Sequence, residues 1–108
     1  METIKENRIF RLLYRKGRKF VTDRLVLYVL PNKSEENFIG LTVSKKIGKA
    51  VTRNRIRRLL RESYRKYENN LKKGFNIVVV ARTKAAYSSF SEIDSSLYKL
   101  IEISGLLK

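Results

Sequence analysis

Basic side chains crowd one short part of this sequence. Between residues 45 and 66, ten lysines and arginines stand against a single acid, Glu62. Arg53, Arg57 and Arg61 follow one another at four-residue spacing, so on a helix they would be neighbours and repel each other. Arginine dominates this run, and its planar guanidinium can donate two hydrogen bonds in a geometry that suits phosphate. The segment therefore predicts a helix with its arginines turned outward, on a surface that takes its negative charge from a phosphate-bearing polyanion.

The turn before this predicted helix adds lysines and a glycine. Gly48 gives a flexible backbone at what should be the N-terminus of the helix, where free amides also attract anions. Asn54 adds a neutral donor and acceptor between two arginines. A purely solubilising surface is the alternative interpretation of this run. The predicted polyanion-binding residues are Lys45, Lys46, Lys49, Arg53, Asn54, Arg55, Arg57, Arg58, Arg61 and Arg65.

Aromatic residues form a second candidate site. Phe10 and Tyr14 are four residues apart and would share one face of a helix. Tyr28 alternates with Val26 and Leu30 on a predicted strand, so these three share one face of a sheet. Aromatic rings on a sheet bordered by lysine and arginine are a common means of stacking unpaired bases. The alternative is that these rings belong to the core.

The composition limits the classes of protein to consider. The chain has 108 residues, which predicts one domain over 1–108, and 25 basic against 10 acidic residues give a net charge of +15. It contains no cysteine and no histidine, which leaves no disulfide framework and none of the usual zinc ligand sets. No stretch resembles a signal peptide or a membrane span, so we expect a cytoplasmic protein without a membrane partner; attachment to a membrane surface is the alternative.

The elements that must position these side chains follow from hydrophobic patterning. Residues 25–30 are β-branched and aliphatic, and residues 38–44 alternate apolar side chains with smaller or polar ones. The two segments are joined by a polar connector with Pro31, which predicts an antiparallel pair of strands. Residues 75–81 form the most apolar strand and should be the most buried. A further short strand is expected at residues 20–22.

Three helices should accompany these strands. Thr3 and Glu6 have the spacing of a capping box, which predicts a first helix that ends near Gly17. A middle helix over residues 52–67 presents an apolar stripe of Ile56, Leu59, Leu60, Tyr64 and Tyr67. Ser89 and Glu92 predict another capping box, and the helix that they open should stop near Gly105.

Residues 44–62, with Arg53, Asn54 and Arg55 at their centre, resemble the signature of the bacterial ribonuclease P protein subunit. The similarity extends to the spacing of Phe10, Tyr14 and Gly17 and to residues 26–28 and 77–82. It implies an α+β fold, a two-layer α/β sandwich with the order helix, strand, strand, strand, helix, strand, helix. It also implies a sheet of about four strands and a left-handed β-α-β crossover, against the general right-handed rule.

The resemblance also implies a function and assigns roles to residues. The protein would join a catalytic ribonuclease P RNA and assist the Mg²⁺-dependent endonucleolytic removal of the 5′ leader from precursor tRNA. Catalysis and Mg²⁺ would belong to the RNA, so no residue of the chain would be catalytic or bind metal. The basic helix would lie against the catalytic RNA. The leader would bind in a cleft mapped onto Phe10, Tyr14, Phe20 and Tyr28.

Other functions remain as alternatives at this point. A metal-dependent protein nuclease would need clustered carboxylates, and only Glu35 and Glu36 are adjacent in the sequence. A ribosomal or assembly protein would bind structured RNA without supporting cleavage. Sequence-specific DNA binding would need a face of mixed hydrogen-bonding side chains, which the dense arginines do not leave. The oligomeric state of a holoenzyme is left open.

Overall fold

The computed structural model describes all residues from 1 to 108 and is organised around a five-stranded mixed sheet. The strand order is β1-β4-β5-β3-β2. Strand β3 is antiparallel to both β2 and β5, whereas β4 is parallel to both β5 and β1. The strands are β1 (Glu2–Thr3), β2 (Arg18–Val21), β3 (Leu25–Pro31), β4 (Phe38–Thr42) and β5 (Phe75–Ala81).

Three α-helices connect and cover these strands. They are α1 (Asn7–Lys16), α2 (Ala50–Tyr67) and α3 (Phe90–Ile103). Short 3₁₀ turns lie at Lys45–Ile47, Glu68–Asn70 and Thr83–Tyr87. Helix α2 joins the adjacent parallel strands β4 and β5. The predicted α+β class, the predicted order from the first helix onward and the parallel crossover through the basic helix are confirmed.

The sheet buries its two faces differently. Alternate residues of β3 show the pattern: Leu25, Leu27 and Val29 are buried against α2 and α3 in one continuous core. Val26 and Tyr28 point to the opposite face and are only half-buried. Helix α1 lies on that second face. The two-layer prediction therefore describes the sheet with α2 and α3, and α1 adds a partial layer on the other side.

The predicted antiparallel pairing of residues 25–30 with 38–44 is wrong. Strand β5 lies between β3 and β4, with Val78 in register with both Tyr28 and Gly40. The physical reason is burial: Ile77, Val78 and Val79 are at most 1% exposed, so β5 needs cover on both faces and takes the centre of the sheet.

The first residues of the chain also differ from the prediction. Thr3 is in β1 opposite Ile39, and the Ile4 amide donates to the Ile39 carbonyl, so this segment adds a fifth strand. Glu6 is therefore the N-cap of α1, without a side-chain capping bond, and the predicted box of Thr3 and Glu6 does not form. The other boundaries are confirmed at Gly17, at the capping box of Ser89 and Glu92, and near Gly105.

A carboxylate joins α2 to α3. Asp94 of α3 accepts hydrogen bonds from the Ser63 hydroxyl at 2.7 Å, the Lys66 ammonium at 2.7 Å and the Tyr67 hydroxyl at 3.0 Å. Burial alone would raise the pKa of Asp94, but the bonds from Lys66, Ser63 and Tyr67 outweigh it and hold that pKa below 3.8. The basic helix is thus fixed to its neighbour through one ionised side chain.

Replacing this carboxylate should weaken the fold. We expect Asp94→Asn to lower the free energy of unfolding at neutral pH by about 1–3 kcal/mol, because charge-assisted bonds to three donors are lost. A lowered native pKa stabilises the protein above the unfolded value and ceases to do so as the pH falls through the native value. The difference between wild type and variant should therefore shrink below about pH 4. Denaturant titrations at several pH values, with the exposed Glu102→Gln as control, would measure it; equal stability at pH 7 would contradict it.

Candidate nucleic-acid interface

One side of helix α2 belongs to the core. Ile56, Leu60 and Tyr64 are at most 3% exposed and pack under the sheet, with Leu59 beside them. Burial raises the pKa of Tyr64 to about 12, so this ring stays a neutral phenol. The predicted apolar stripe is confirmed, and it fixes which other side chains of α2 can reach solvent.

The opposite side of α2 is an exposed cationic stripe. None of the ion pairs in the protein uses an arginine of this helix; only Lys66 is paired, with Asp94. Glu62 makes no ion pair with its neighbours. The positive charge of the stripe is therefore not neutralised within the protein. The cationic stripe consists of the exposed arginines Arg58, Arg61 and Arg65 together with the neutral, exposed Asn54.

The other arginines of α2 are half-buried, which corrects the expectation that all of them point outward. Arg55 donates to the Ser88 carbonyl at 2.7 Å. Arg57 donates to the Asn54 side-chain oxygen at 3.1 Å and lies 3.4 Å from the Val43 carbonyl. The Nε atom of Arg53 is buried without a hydrogen-bond partner. These three side chains flank the stripe, and two of them also hold α2 to neighbouring segments.

The turn between β4 and α2 presents three more cations. Ile47 is buried and anchors the turn, while Lys45, Lys46 and Lys49 are exposed. Gly48 has φ 151°, in the region that favours glycine, and this allows the chain to enter the helix directly after the turn. The lysines therefore lie next to the first turn of α2, as predicted.

Three aromatic rings come together between α1 and the sheet. The ring centres of Phe10 and Tyr14 are 6.5 Å apart, and those of Tyr14 and Tyr28 are 5.1 Å apart with an edge-on angle of 75°. The hydroxyls of Tyr14 and Thr42 are joined by a hydrogen bond of 2.7 Å. Phe10 packs directly over Gly40, where a Cβ atom would lie 2.6 Å from its ring. The predicted trio is therefore assembled, and these rings with Thr42 form the aromatic cleft.

The sheet continues the aromatic cleft beyond α1. Val21, Val26, Val80 and Thr42 form one row across four strands, and Val21 is 48% exposed. Lys19, in the row of Tyr28, holds its ammonium 5.9 Å from the centre of that ring. Sequence reasoning missed Lys19, Thr42 and this row, because only the strand register shows that they share a face with Tyr28.

Phe20 does not join the aromatic cleft. It is in register with Leu27, so its side chain lies on the opposite face of the sheet and packs against the core of α2 and α3. The Arg18 guanidinium lies 5.0 Å from its ring centre. The geometry therefore gives no support to the expected contact of Phe20 with a leader.

The aromatic cleft and α2 meet at the edge of the sheet. A groove of about 210 Å³ is lined by Phe10, Gly40, Leu41, Arg57 and Arg61, among others. At the other end of the cleft, Thr42 is three residues from Lys45. The cations of α2 and its preceding turn thus border the aromatic rings along the side formed by β4.

The carboxylates do not form a metal-binding cluster, although Glu2, Glu35, Glu36 and Glu68 line one pocket. No three acidic side chains come close enough to share a metal ion. Asp23, Glu92 and Asp94 are instead engaged with basic side chains. The longest helix, α2, is too polar to cross a membrane, and the shorter helices do not qualify either.

The fold and the site define a small basic α+β protein with a cationic helix in a parallel crossover and an aromatic cleft beside it. The Ribonuclease P family model matches residues 1–104. The ribonuclease P protein component of Clostridium acetobutylicum is 46% identical over 111 residues, covering 96% of this chain and 93% of that protein. The one of Clostridioides difficile is 42% identical over 100 residues, covering 92% and 88%.

Solved structures agree with these sequence relationships. The RNase P protein of Staphylococcus aureus superposes with a TM-score of 0.92 at 31% identity and covers 100% of this chain and 99% of its own. The RNase P protein of Thermotoga maritima gives 0.85 at 28% identity, with 95% and 97% covered. The chain belongs to the ribonuclease P protein family, whose place is in tRNA processing as part of a ribonucleoprotein.

The contact between Phe10 and Gly40 can be tested by a double-mutant cycle. Gly40→Ala places a methyl group against the Phe10 ring and should lower the free energy of unfolding by about 1–3 kcal/mol. In a Phe10→Ala background the same change should cost less, giving a coupling energy of at least about 0.5 kcal/mol. Chemical denaturation of the four proteins measures this, and strictly additive effects would show that the ring does not lie over the glycine.

Proposed function

We propose that this chain is the protein subunit of ribonuclease P that binds both the catalytic RNA and the 5′ leader of precursor tRNA. It assists the Mg²⁺-dependent endonucleolytic removal of the leader, which gives the mature 5′ end of the tRNA. The observation that carries the proposal is the position of the unpaired cationic stripe of α2 directly beside the aromatic cleft. Family membership supplies the RNA partner that these surfaces fit.

The cationic stripe and its flanking cations suit an RNA backbone. Arg58, Arg61 and Arg65 are exposed and have no carboxylate partner, so phosphates can neutralise them without breaking internal ion pairs. Arg55 and Arg57 are already held by protein carbonyls, which leaves their remaining N–H groups in fixed directions. The proposed RNA surface comprises Lys45, Lys46, Lys49, Arg53, Asn54, Arg55, Arg57, Arg58, Arg61 and Arg65.

The aromatic cleft suits a single strand of RNA. Tyr14 and Tyr28 present ring surface, and the valine row next to them gives an apolar floor on which bases can lie. Lys19 at the rim can meet a phosphate. Stacking on rings tolerates different bases, and this is the requirement for leaders of varied sequence. The proposed leader-binding residues are therefore Phe10, Tyr14 and Tyr28, with Lys19 and Thr42 added.

The chemistry of cleavage is assigned to the RNA subunit. In the proposed function Mg²⁺ would be held by the RNA and would activate the attacking water there, and no three carboxylates of this chain come close enough to share a metal ion. The chain's own residues would reduce the electrostatic repulsion between phosphates where two RNAs meet and would hold the leader in position. We place this ribonucleoprotein in the cytoplasm.

Reconstitution is the experiment that tests this function. The protein should increase leader removal by a ribonuclease P RNA at limiting Mg²⁺ and should cleave nothing in the absence of that RNA. A ribosomal or assembly protein would bind RNA without this increase. Cleavage of precursor tRNA by the protein alone would refute the assignment of catalysis to RNA.

The salt dependence of RNA binding should show how many phosphates the cationic stripe and its neighbouring cations neutralise. If about 6–10 phosphates are neutralised, affinity should fall by about 10³–10⁵ between roughly 50 and 200 mM salt. Arg58→Ala should reduce the slope of this dependence by about one, whereas Lys99→Ala on α3 should leave it unchanged. A wild-type affinity that does not respond to salt would contradict the electrostatic account.

The aromatic cleft should matter only when a leader is present. Tyr28→Ala should weaken the binding of precursor tRNA to the holoenzyme by about 1–3 kcal/mol, because a stacking surface is lost. Mature tRNA, which has no leader, is the matched control and should bind as it does to wild type. Equal losses for both tRNAs would assign Tyr28 to the packing of α1 on the sheet.

A further inference from the structure

Tyr87 differs from every other tyrosine of the protein. Its side chain is 93% exposed. Tyr64 is buried, Tyr14 and Tyr28 contact each other, and Tyr67 and Tyr98 form a second pair of rings. Tyr87 has no ring partner and no cation over its face. The aromatic cleft does not include it, and the function described above leaves it without a role.

The segment that carries Tyr87 is firmly fixed. Ala85, two residues before Tyr87, is fully buried, and Ser88, the residue after it, is 2% exposed. The Ser88 hydroxyl donates to the Lys84 carbonyl at 2.9 Å and accepts from the Arg24 guanidinium at 2.8 Å. The Ser88 carbonyl accepts from Arg55 at 2.7 Å. The exposed ring of Tyr87 is thus attached to a rigid segment of backbone, which reduces the entropy lost when a partner binds.

The segment that carries Tyr87 lies next to the basic helix α2. The bond from Arg55 ties the residue next to Tyr87 directly to the basic helix. Val51 lies one helical turn before Arg55, on the same side of α2, and is 82% exposed. The two most exposed large apolar side chains of the protein thus lie on two segments that the Arg55 guanidinium joins, and Lys49 at the N-cap of α2 is two residues before Val51.

We propose that Tyr87, with Val51 and Arg55, forms a stacking platform for an unpaired base of the RNA that binds α2. This inference rests on the proposed function and extends the catalytic-RNA surface from α2 onto the 3₁₀ turn of Thr83–Tyr87. A base can cover the tyrosine ring while its phosphates meet the neighbouring cations, a combination typical of binding to single-stranded nucleic acid. A neutral protein partner would cover the apolar groups but leave the cations unneutralised.

The platform predicts a defined loss of RNA affinity. In titrations of the full chain with ribonuclease P RNA, Tyr87→Ala should bind about fivefold to 150-fold more weakly, the effect of losing one stacked base. Tyr87→Phe keeps the ring and should bind within about twofold of wild type. The salt dependence should stay unchanged in Tyr87→Ala, because stacking releases no counterions. Ile103→Ala, an exposed apolar change on α3, is the control and should have no effect.

The outcomes separate this inference from the proposed function. Unchanged affinity of Tyr87→Ala, with wild type still preferring ribonuclease P RNA over an unrelated RNA of equal length, would overturn the platform alone. Wild type without that preference would overturn both. Loss of self-association in Tyr87→Ala without loss of RNA affinity would show that the ring meets a second copy of the chain, which also overturns the platform. An unchanged midpoint of thermal unfolding confirms that the variant is folded.

Discussion

Helix α2 carries the constraint on which the rest of the structure depends. One side of it must fill the core through Ile56, Leu60 and Tyr64, while its other sides carry arginines that no carboxylate of the protein neutralises. Packing therefore decides which cations face outward, because burial of the apolar stripe determines the side of α2 on which the cationic stripe lies. Because the chain has a net charge of +15, the same arrangement that opposes folding through self-repulsion favours a polyanionic partner.

The sheet places a second surface beside this helix. Strand β5 is buried on both faces at the centre of the sheet and pairs with β4. Strand β4 leads directly from the aromatic cleft into the lysine turn of α2. Gly40 allows the Phe10 ring to approach the sheet closely. As a result a stacking surface and a cationic surface share one border. In the proposed function this border allows the protein to contact the backbone of one RNA and the bases of another.

The features predicted from sequence were those set by local patterns. The orientation of α2 and the capping box of Ser89 and Glu92 depend on residue spacing along a single helix. The proximity of Phe10, Tyr14 and Tyr28 was expected from the resemblance to the ribonuclease P protein family. The pairing of β3 with β5 was not predictable in this way, because strand neighbours are chosen by burial across the whole sheet.

The faces of β2 show the same limit. Lys19 and Phe20 are adjacent in sequence, but the register with β3 places Lys19 over Tyr28 and Phe20 in the opposite core. A shift of one residue in that register would exchange them. The half-buried states of Arg55 and Arg57 depend on carbonyls far along the chain, so helical spacing alone assigned them to solvent.

We propose that α2 and the aromatic cleft face two different RNAs, and site-directed crosslinking tests this most directly. The chain has no cysteine, so Arg58→Cys and Val21→Cys each give a single attachment point for a photoreactive probe. In a holoenzyme with precursor tRNA, the probe on α2 should crosslink to ribonuclease P RNA and the probe beside the cleft should crosslink to the leader. Crosslinking of both probes to the same RNA, or a reversed pattern, would contradict the account.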